Sequence, residues 1–225
     1  MIPCVNIHTH RPTGRGIELR AEGVHPWRAD RAAAEEFAAR FDGRLGSELD
    51  GKLGGKLGGK LDGRLGGELG GRVQAIGEIG LDRACGVDFG LQLDVLRSQL
   101  ALARRTGLPV VLHCVRAFEP LMRELAACPP RAVIFHGFIG SPEQARQALG
   151  RGYMLSFGER TFASPKSLRA LQEVPLAQLF LETDDEPVTI ESLYERVAVL
   201  RGIEPEALKR ATLENYERIF GIQNG

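Results

Sequence analysis

The sequence predicts an α/β fold built on a parallel sheet, and three observations predict it. Short apolar runs recur along the chain, and most are continuously apolar rather than alternating, as in strands covered on both faces. Stretches with helical spacing separate them, which implies βαβ units. Histidines and carboxylates gather at the C-terminal ends of the runs, where parallel α/β folds build their sites.

The runs are Ile2–Ile7, Ile17–Val24, Val73–Ile79, Leu108–Leu112, Ala132–Phe135, Tyr153–Phe157 and Leu179–Leu181. Between them, Asp88–Thr106 carries Leu91, Val95, Leu96, Leu100 and Leu102 at helical spacing, and Gly107 sits where a helix stops. Ser141-Pro142 and Ser164-Pro165 each pair an N-cap with proline at the first helical position. Thr189–Leu200 and Pro205–Phe220 also read as helices, and Gly221 follows the last.

Residues 43–72 differ from the rest. Leucine recurs every four residues from Leu45 to Leu65, but glycine takes 12 of the 30 positions. Each glycine costs a helix about 1 kcal/mol relative to alanine. The segment is expected to be a flexible, low-complexity surface insertion in one domain spanning 1–225.

Composition excludes several classes. Twenty-nine basic residues balance 29 acidic ones, so no broad positive field draws nucleic acid non-specifically. Cys4, Cys85, Cys114 and Cys128 form no C-x-x-C pair and no dense disulfide framework, and are expected to be reduced thiols. No apolar run reaches the ~20 residues of a membrane span, and the N-terminus lacks signal-peptide features. The expected compartment is the cytoplasm, with no membrane contact and no obligate protein partner.

The strand ends carry the chemistry. The first run leads into Asn6-Ile7-His8-Thr9-His10, the third into Gly77-Glu78, the fourth into His113, the fifth into His136 and the seventh into Glu182-Thr183-Asp184. Strand alternation in His8-x-His10 puts both imidazoles on one side. Histidine with carboxylate is the donor set of hydrolytic zinc, manganese and magnesium sites. His8, His10, Glu78, His113, His136 and Asp184 are therefore the expected metal ligands. A lone histidine at a strand end is more often structural; the weight lies in six such residues at successive strand ends.

These stretches resemble the TatD family of metal-dependent hydrolases, within the amidohydrolase superfamily. The matching segments are NIHTH at 6–10, GVHPW at 23–27, AIGEIGLD at 75–82, LPVVLHC at 108–114, IFHGFIGSPEQA at 134–145 and LFLETDD at 179–185. The resemblance implies a TIM-type (β/α)8 barrel with one or two divalent metal ions, Zn, Mg or Mn. It implies that His8, His10, Glu78 and Asp184 hold one ion, that Glu78, His113 and His136 hold the second with Glu78 bridging, and that Asp184 and Glu78 are catalytic. Asp184 would take a proton from the attacking water. Asn6 stands where many members carry aspartate. The stretch between His10 and Gly23 is short for the usual second strand and helix, so the barrel is expected to be distorted or incomplete there.

His25, Arg116 and Glu182 are further candidates for substrate binding; the alternative for His25 is a structural loop in which Trp27 packs on the barrel rim. Asp185 and Glu186 read as a solvated loop. The implied function is a TatD-type phosphodiesterase or deoxyribonuclease acting on a phosphoester or DNA. The same ligands also suit hydrolysis of a C–N or C–O ester bond in a small molecule. A third reading puts the function in the 43–72 repeat as a non-catalytic binding segment. A basic groove around the site would favour phosphate, and a closed apolar pocket would favour an amide or lactone.

Overall fold

The computed structural model describes residues 2–41 and 73–221, so the insertion at 43–72 lies outside the described residues. All the strands are parallel. Strands β1 (Val5–Asn6) and β2 (Ile17–Glu18) pair with each other. Strands β3 (Ala21–Glu22), β4 (Ala75–Asp82), β5 (Val110–Val115), β6 (Val133–Phe135), β7 (Met154–Phe157) and β8 (Leu179–Leu181) follow in sequential order in one sheet. Closure comes from β1 meeting β8: Ile7 N–H donates to Leu181 C=O at 3.1 Å, and Asp184 N–H donates to His8 C=O at 3.1 Å. The result is the expected TIM-type barrel.

The distortion also falls where the sequence put it. The second apolar run, Ile17–Val24, splits into β2 and β3, one pairing with β1 and the other with β4. Only Leu19 and Arg20 separate them, so a single turn of chain serves both neighbours.

The continuous apolar runs have a direct explanation in two cores. Val5, Ile7, Ala75, Val111, Ile134, Met154 and Phe180 fill the barrel interior. Their strand neighbours, such as Val110, Leu112, Val133, Phe135, Leu155, Leu179 and Leu181, face the helices. Both faces of β1, β4, β6, β7 and β8 are buried, so these runs are apolar on both sides, whereas β2 and β3 are half-buried.

Residues 31–41 form helix α1. Helix α2 (Phe89–Thr106) starts at Asp88, whose side chain accepts the Leu91 N–H, and stops at Gly107 in the left-handed conformation. Helices α4 (Pro142–Leu149) and α5 (Pro165–Glu173) are capped by Ser141 and Ser164 as expected. Helix α6 (Ile190–Arg201) starts from Thr189, and α7 (Pro205–Phe220) packs Leu213, Tyr216, Ile219 and Phe220 against the interior core. Helix α3 (Phe118–Ala127) was not apparent in the sequence; its N-cap, Ala117, makes no side-chain bond. The four cysteines are free thiols. Among the described residues no helix is long and apolar enough to cross a membrane.

Candidate metal centre

The mouth of the barrel gathers all six expected ligands. Strand β1 ends at Asn6, short of the histidines. Thr9 then forms an isolated parallel bridge with Asp184, and His8 and His10 flank it. Side-chain alternation across the bridge turns both imidazoles the same way: His8 Nε2 and His10 Nε2 lie 3.5 Å and 3.4 Å from Asp184 Oδ1. Asn6 clips the two chain segments together. Its Nδ2 donates to Thr183 Oγ1 at 3.0 Å, and its Oδ1 accepts the Thr183 N–H at 3.1 Å.

Glu78 sits at the centre. The β4 register shifts between Ile76 and Ile79, and both isoleucines face the outer core. A bulge of this kind re-aims the intervening side chain, here Glu78, into the mouth. Gly80 lets β4 pass close to β5, since a Cβ there would lie 1.9 Å from the His113 carbonyl oxygen. Glu78 then meets every histidine in the chain. Its Oε1 contacts His136 Nε2 directly, lies 2.8 Å from His113 Nδ1 and lies 3.3 Å from His25 Nε2. Its Oε2 lies 3.3 Å from His8 Nε2 and 3.7 Å from His10 Nε2.

Two outer carboxylates orient two of these histidines. Asp82 Oδ2 lies 3.0 Å from His113 Nε2, which leaves Nδ1 for Glu78. Glu182 Oε1 lies 3.1 Å from His136 Nδ1, which leaves Nε2 for Glu78. A carboxylate on the far nitrogen is how metal-binding histidines are held in tautomer and direction. Asp82 is fixed in turn by α2. Gln92 Oε1 accepts the Asp82 N–H at 2.8 Å, and Gln92 Nε2 donates to the Asp82 carbonyl at 3.0 Å. Gln99, two turns on, does the same for Val24 beside His25. Sequence reasoning missed Asp82, Gln92 and Gln99 because their roles depend on which strand and helix lie alongside.

The electrostatics fit a cation site. Burial opposes ionisation of Glu78, but the facing imidazoles of His113, His136, His25 and His8 outweigh it and hold the carboxyl far below its usual range. Burial pushes the His8 pKa down, but the Asp184 and Glu78 carboxylates raise it to about 9. His136 is likewise held well above the ordinary histidine value, against burial, by Glu182 and Glu78. Burial also opposes Asp184 ionisation, and His8 and His136 overcome it. Two buried atoms of the cluster nonetheless lack any hydrogen-bond partner, His8 Nε2 and Glu182 Oε2, as do Ser156 Oγ and Thr161 Oγ1 elsewhere. An unpartnered imidazole nitrogen facing two carboxylates has the state that a bound divalent ion satisfies. The donor atoms form overlapping groups: His8–His10–Asp184, His8–Glu78–His136, His25–Glu78–His113 and His136–Glu182–Asp184. His25 therefore belongs with the ligand candidates, whereas the sequence suggested only substrate contact.

Backbone strain collects here too. Among the described residues, the non-glycine positions with positive φ are Arg116 (51°) and Asp184 (52°), both at the mouth. The mouth opens into a cavity of about 1130 Å³ whose lining includes Arg28, Arg40, Arg116, Arg160 and Lys166. Arg160 is engaged by Asp185 at 2.9 Å and Glu186 at 2.8 Å, so that acidic loop is paired rather than merely solvated.

The family model described as TatD related DNase matches residues 19–221. The chain belongs to the TatD-related DNase family. The match begins after His8 and His10, so those two rest on the geometry alone. An uncharacterized metal-dependent hydrolase of Bacillus subtilis, YabD, is 33% identical over 169 residues, covering 67% of this chain and 66% of its own. The 3'-5' ssDNA/RNA exonuclease TatD of Erwinia amylovora is 31% identical over 183 residues, covering 67% of each. The crystal structure of the TatD homologue YjjV from Escherichia coli superposes with a TM-score of 0.71 at 27% identity, covering 91% of this chain and 77% of that one. The chain spans about two thirds or less of the length of several curated relatives, 66% for YabD and 60% for human deoxyribonuclease TATDN3.

Proposed function

We propose that this TatD-family protein is a divalent-metal-dependent phosphodiesterase acting on DNA or a related nucleic-acid strand. One observation carries the reading: the under-satisfied histidine–carboxylate cluster lies on the floor of an open cavity whose rim mixes acidic side chains, among them Glu22, Glu119 and Glu159, with cations that have no acidic partner among the described residues. Among the described residues, Arg28, Arg116 and Lys166 are exposed and make no ion pair, so they are available to phosphate oxygens. Unpaired cations at an open mouth suit a phosphodiester better than a small neutral amide or lactone. The relatives named as exonuclease and deoxyribonuclease support the same substrate class.

His8, His10, Glu78, His113, His136 and Asp184 would hold one or two ions, with His25 and Glu182 bordering them. Bound there, a divalent ion supplies Lewis acidity and lowers the pKa of water. The chain's own residues do the rest. Asp184 is ionised and half-buried beside His8, ready to accept a proton from the attacking water. Glu78 touches both halves of the cluster and fixes their separation. Asp82 and Glu182 keep His113 and His136 in the required tautomers. Arg116, held in a strained conformation at the end of β5, is placed to bind a phosphate.

The test is metal analysis of purified protein together with a substrate screen over nitrophenyl phosphodiesters, single-stranded DNA, and amides and lactones. We expect bound divalent metal and phosphodiester hydrolysis. Hydrolysis confined to amides or lactones would replace this reading with the small-molecule one. The single-domain organisation and cytoplasmic location are part of the same proposal.

A further inference from the structure

Among the described residues three large apolar side chains stand out as exposed: Trp27 at 60%, Ile139 at 40% and Val199 at 84%. Two of them, Trp27 and Ile139, line the cavity above the Glu78 cluster. The structural-loop alternative for His25 would pack Trp27 on the rim, but more than half of the residue is exposed. The ring is nevertheless held. Its Nε1 donates to Asp82 Oδ2 at 2.6 Å, and its backbone N–H donates to His25 Nδ1 at 3.1 Å. It stands edge-on to His25 at 4.9 Å and to His113 at 5.9 Å between ring centroids. A short 3-10 turn, Pro26–Arg28, carries it, with proline fixing the first position.

A rigid aromatic ring anchored by its polar edge and otherwise open to a cavity is preorganised for stacking, because a flat ligand covers it without ordering it further. The neighbours set the ligand's chemistry. His25 and His113, which the ring touches, both contact Glu78, so the ring lies beside the reacting centre. Arg28, the next residue, is an exposed cation on the same cavity. A flat group joined to an anion within one nucleotide's reach matches both.

We propose that Trp27 is the stacking platform for the nucleobase next to the scissile phosphodiester, with Asp82 the positioning residue that holds this platform and His113 in one frame. This rests on the phosphodiesterase reading above, and the test separates the two. Trp27 is the chain's single tryptophan, so indole emission reports on this ring alone. Wild-type protein with chelator present is titrated with a single-stranded oligonucleotide and with an abasic strand of equal length. Base-dependent quenching is expected, with little quenching by the abasic strand. Under turnover with metal, Trp27→Ala is expected to raise KM for the base-bearing strand about 5- to 150-fold more than it raises KM for the abasic strand. Trp27→Phe, which keeps a ring, is expected to retain most of the base preference and guards against misfolding of the alanine variant. Equal quenching by both strands, no quenching, or an equal KM loss on both strands would overturn the platform. Base-dependent quenching without cleavage of any strand would leave the platform standing and remove the phosphodiesterase reading. Cleavage with no base preference would do the reverse.

Discussion

Two polar constellations sit on the first strand and its extension, three residues apart, and they are built oppositely. At Val5 the fully buried Tyr194 hydroxyl accepts the Val5 N–H at 3.0 Å and lies 3.0 Å from the Val5 carbonyl and 2.7 Å from Thr212 Oγ1. Tyr194 ties β1 to α6 and α7, and its hydroxyl has a partner in every direction. At His8 the side chain is also buried, yet Nε2 has no hydrogen-bond partner and two carboxylates crowd it. Burial is common to both places, so it does not mark function. What separates these two places is the satisfaction of their buried polar atoms. The Tyr194 knot is complete within the chain, whereas the His8 cluster is complete only with something added.

Glu78→Ala should break the contrast most severely. Glu78 contacts all five histidines, so its loss should remove bound metal and lower kcat/KM at least about a thousand-fold, about 4 kcal/mol in transition-state terms. Stability of the metal-free protein should fall, because the histidines hold the Glu78 carboxylate ionised against burial and its loss leaves the raised His8 and His136 imidazoles without this partner. Metal analysis, kinetics and a thermal melt in chelator check this. Full metal content with full activity would refute the assignment.

Asp82→Asn should act one step further out. It keeps an acceptor for Trp27 but removes the charge facing His113 Nε2. Metal affinity should fall about 10- to 100-fold, the usual scale for a residue that orients a ligand. Activity should recover in part at saturating metal. A metal titration followed by activity measures both, and an unchanged affinity would mean that His113 needs no such support.

These two residues also show what the sequence could and could not reveal. Glu78 was legible because it stands near the end of an apolar run, in a series of runs leading into histidine or aspartate. Asp82 lies four residues along the same strand, and its role appears only once Gly80 pairs with His113 and Trp27 folds over from another element. Helices α4 and α5 were legible from their N-caps, because Ser141 and Ser164 satisfy amides within their own turns, and α2 was legible from its apolar spacing and the stop at Gly107. Helix α3 has no such cap, since packing of Phe118, Leu121, Met122 and Leu125 holds it. Local signals were readable, and those that depend on a distant neighbour were not. His25 followed the same rule: its sequence neighbours suggested a loop, and only the closed barrel brings it to Glu78.

Tyr194→Phe tests the satisfied side. Removing the hydroxyl leaves the buried Val5 N–H without this partner, a loss of about 1–3 kcal/mol. Urea unfolding should show a lower midpoint at constant slope. Metal content and kcat of the folded fraction should be unchanged, since no atom of the knot touches the mouth. A large change in kcat with intact stability would erase the distinction between the two constellations.

The same hydroxyl predicts the smallest effect, at high pH. Burial raises the Tyr194 pKa above the ordinary tyrosine value, although Thr212 and the Val5 backbone partly counter it. The unfolded chain, with a pKa near 10, releases this proton while the folded chain still holds it. The stabilisation is thus fully present below the unfolded pKa and is lost as pH rises from there towards the folded one. The slope from one such group is at most about 1.4 kcal/mol per pH unit. Tyr194→Phe cannot lose this proton, so its stability should fall less steeply above about pH 10, and the gap to wild type should narrow. Unfolding at a series of alkaline pH values measures the gap. A constant gap would mean that the hydroxyl ionises as readily in the folded protein as in the unfolded chain, and that the knot is less sealed than its hydrogen bonds indicate.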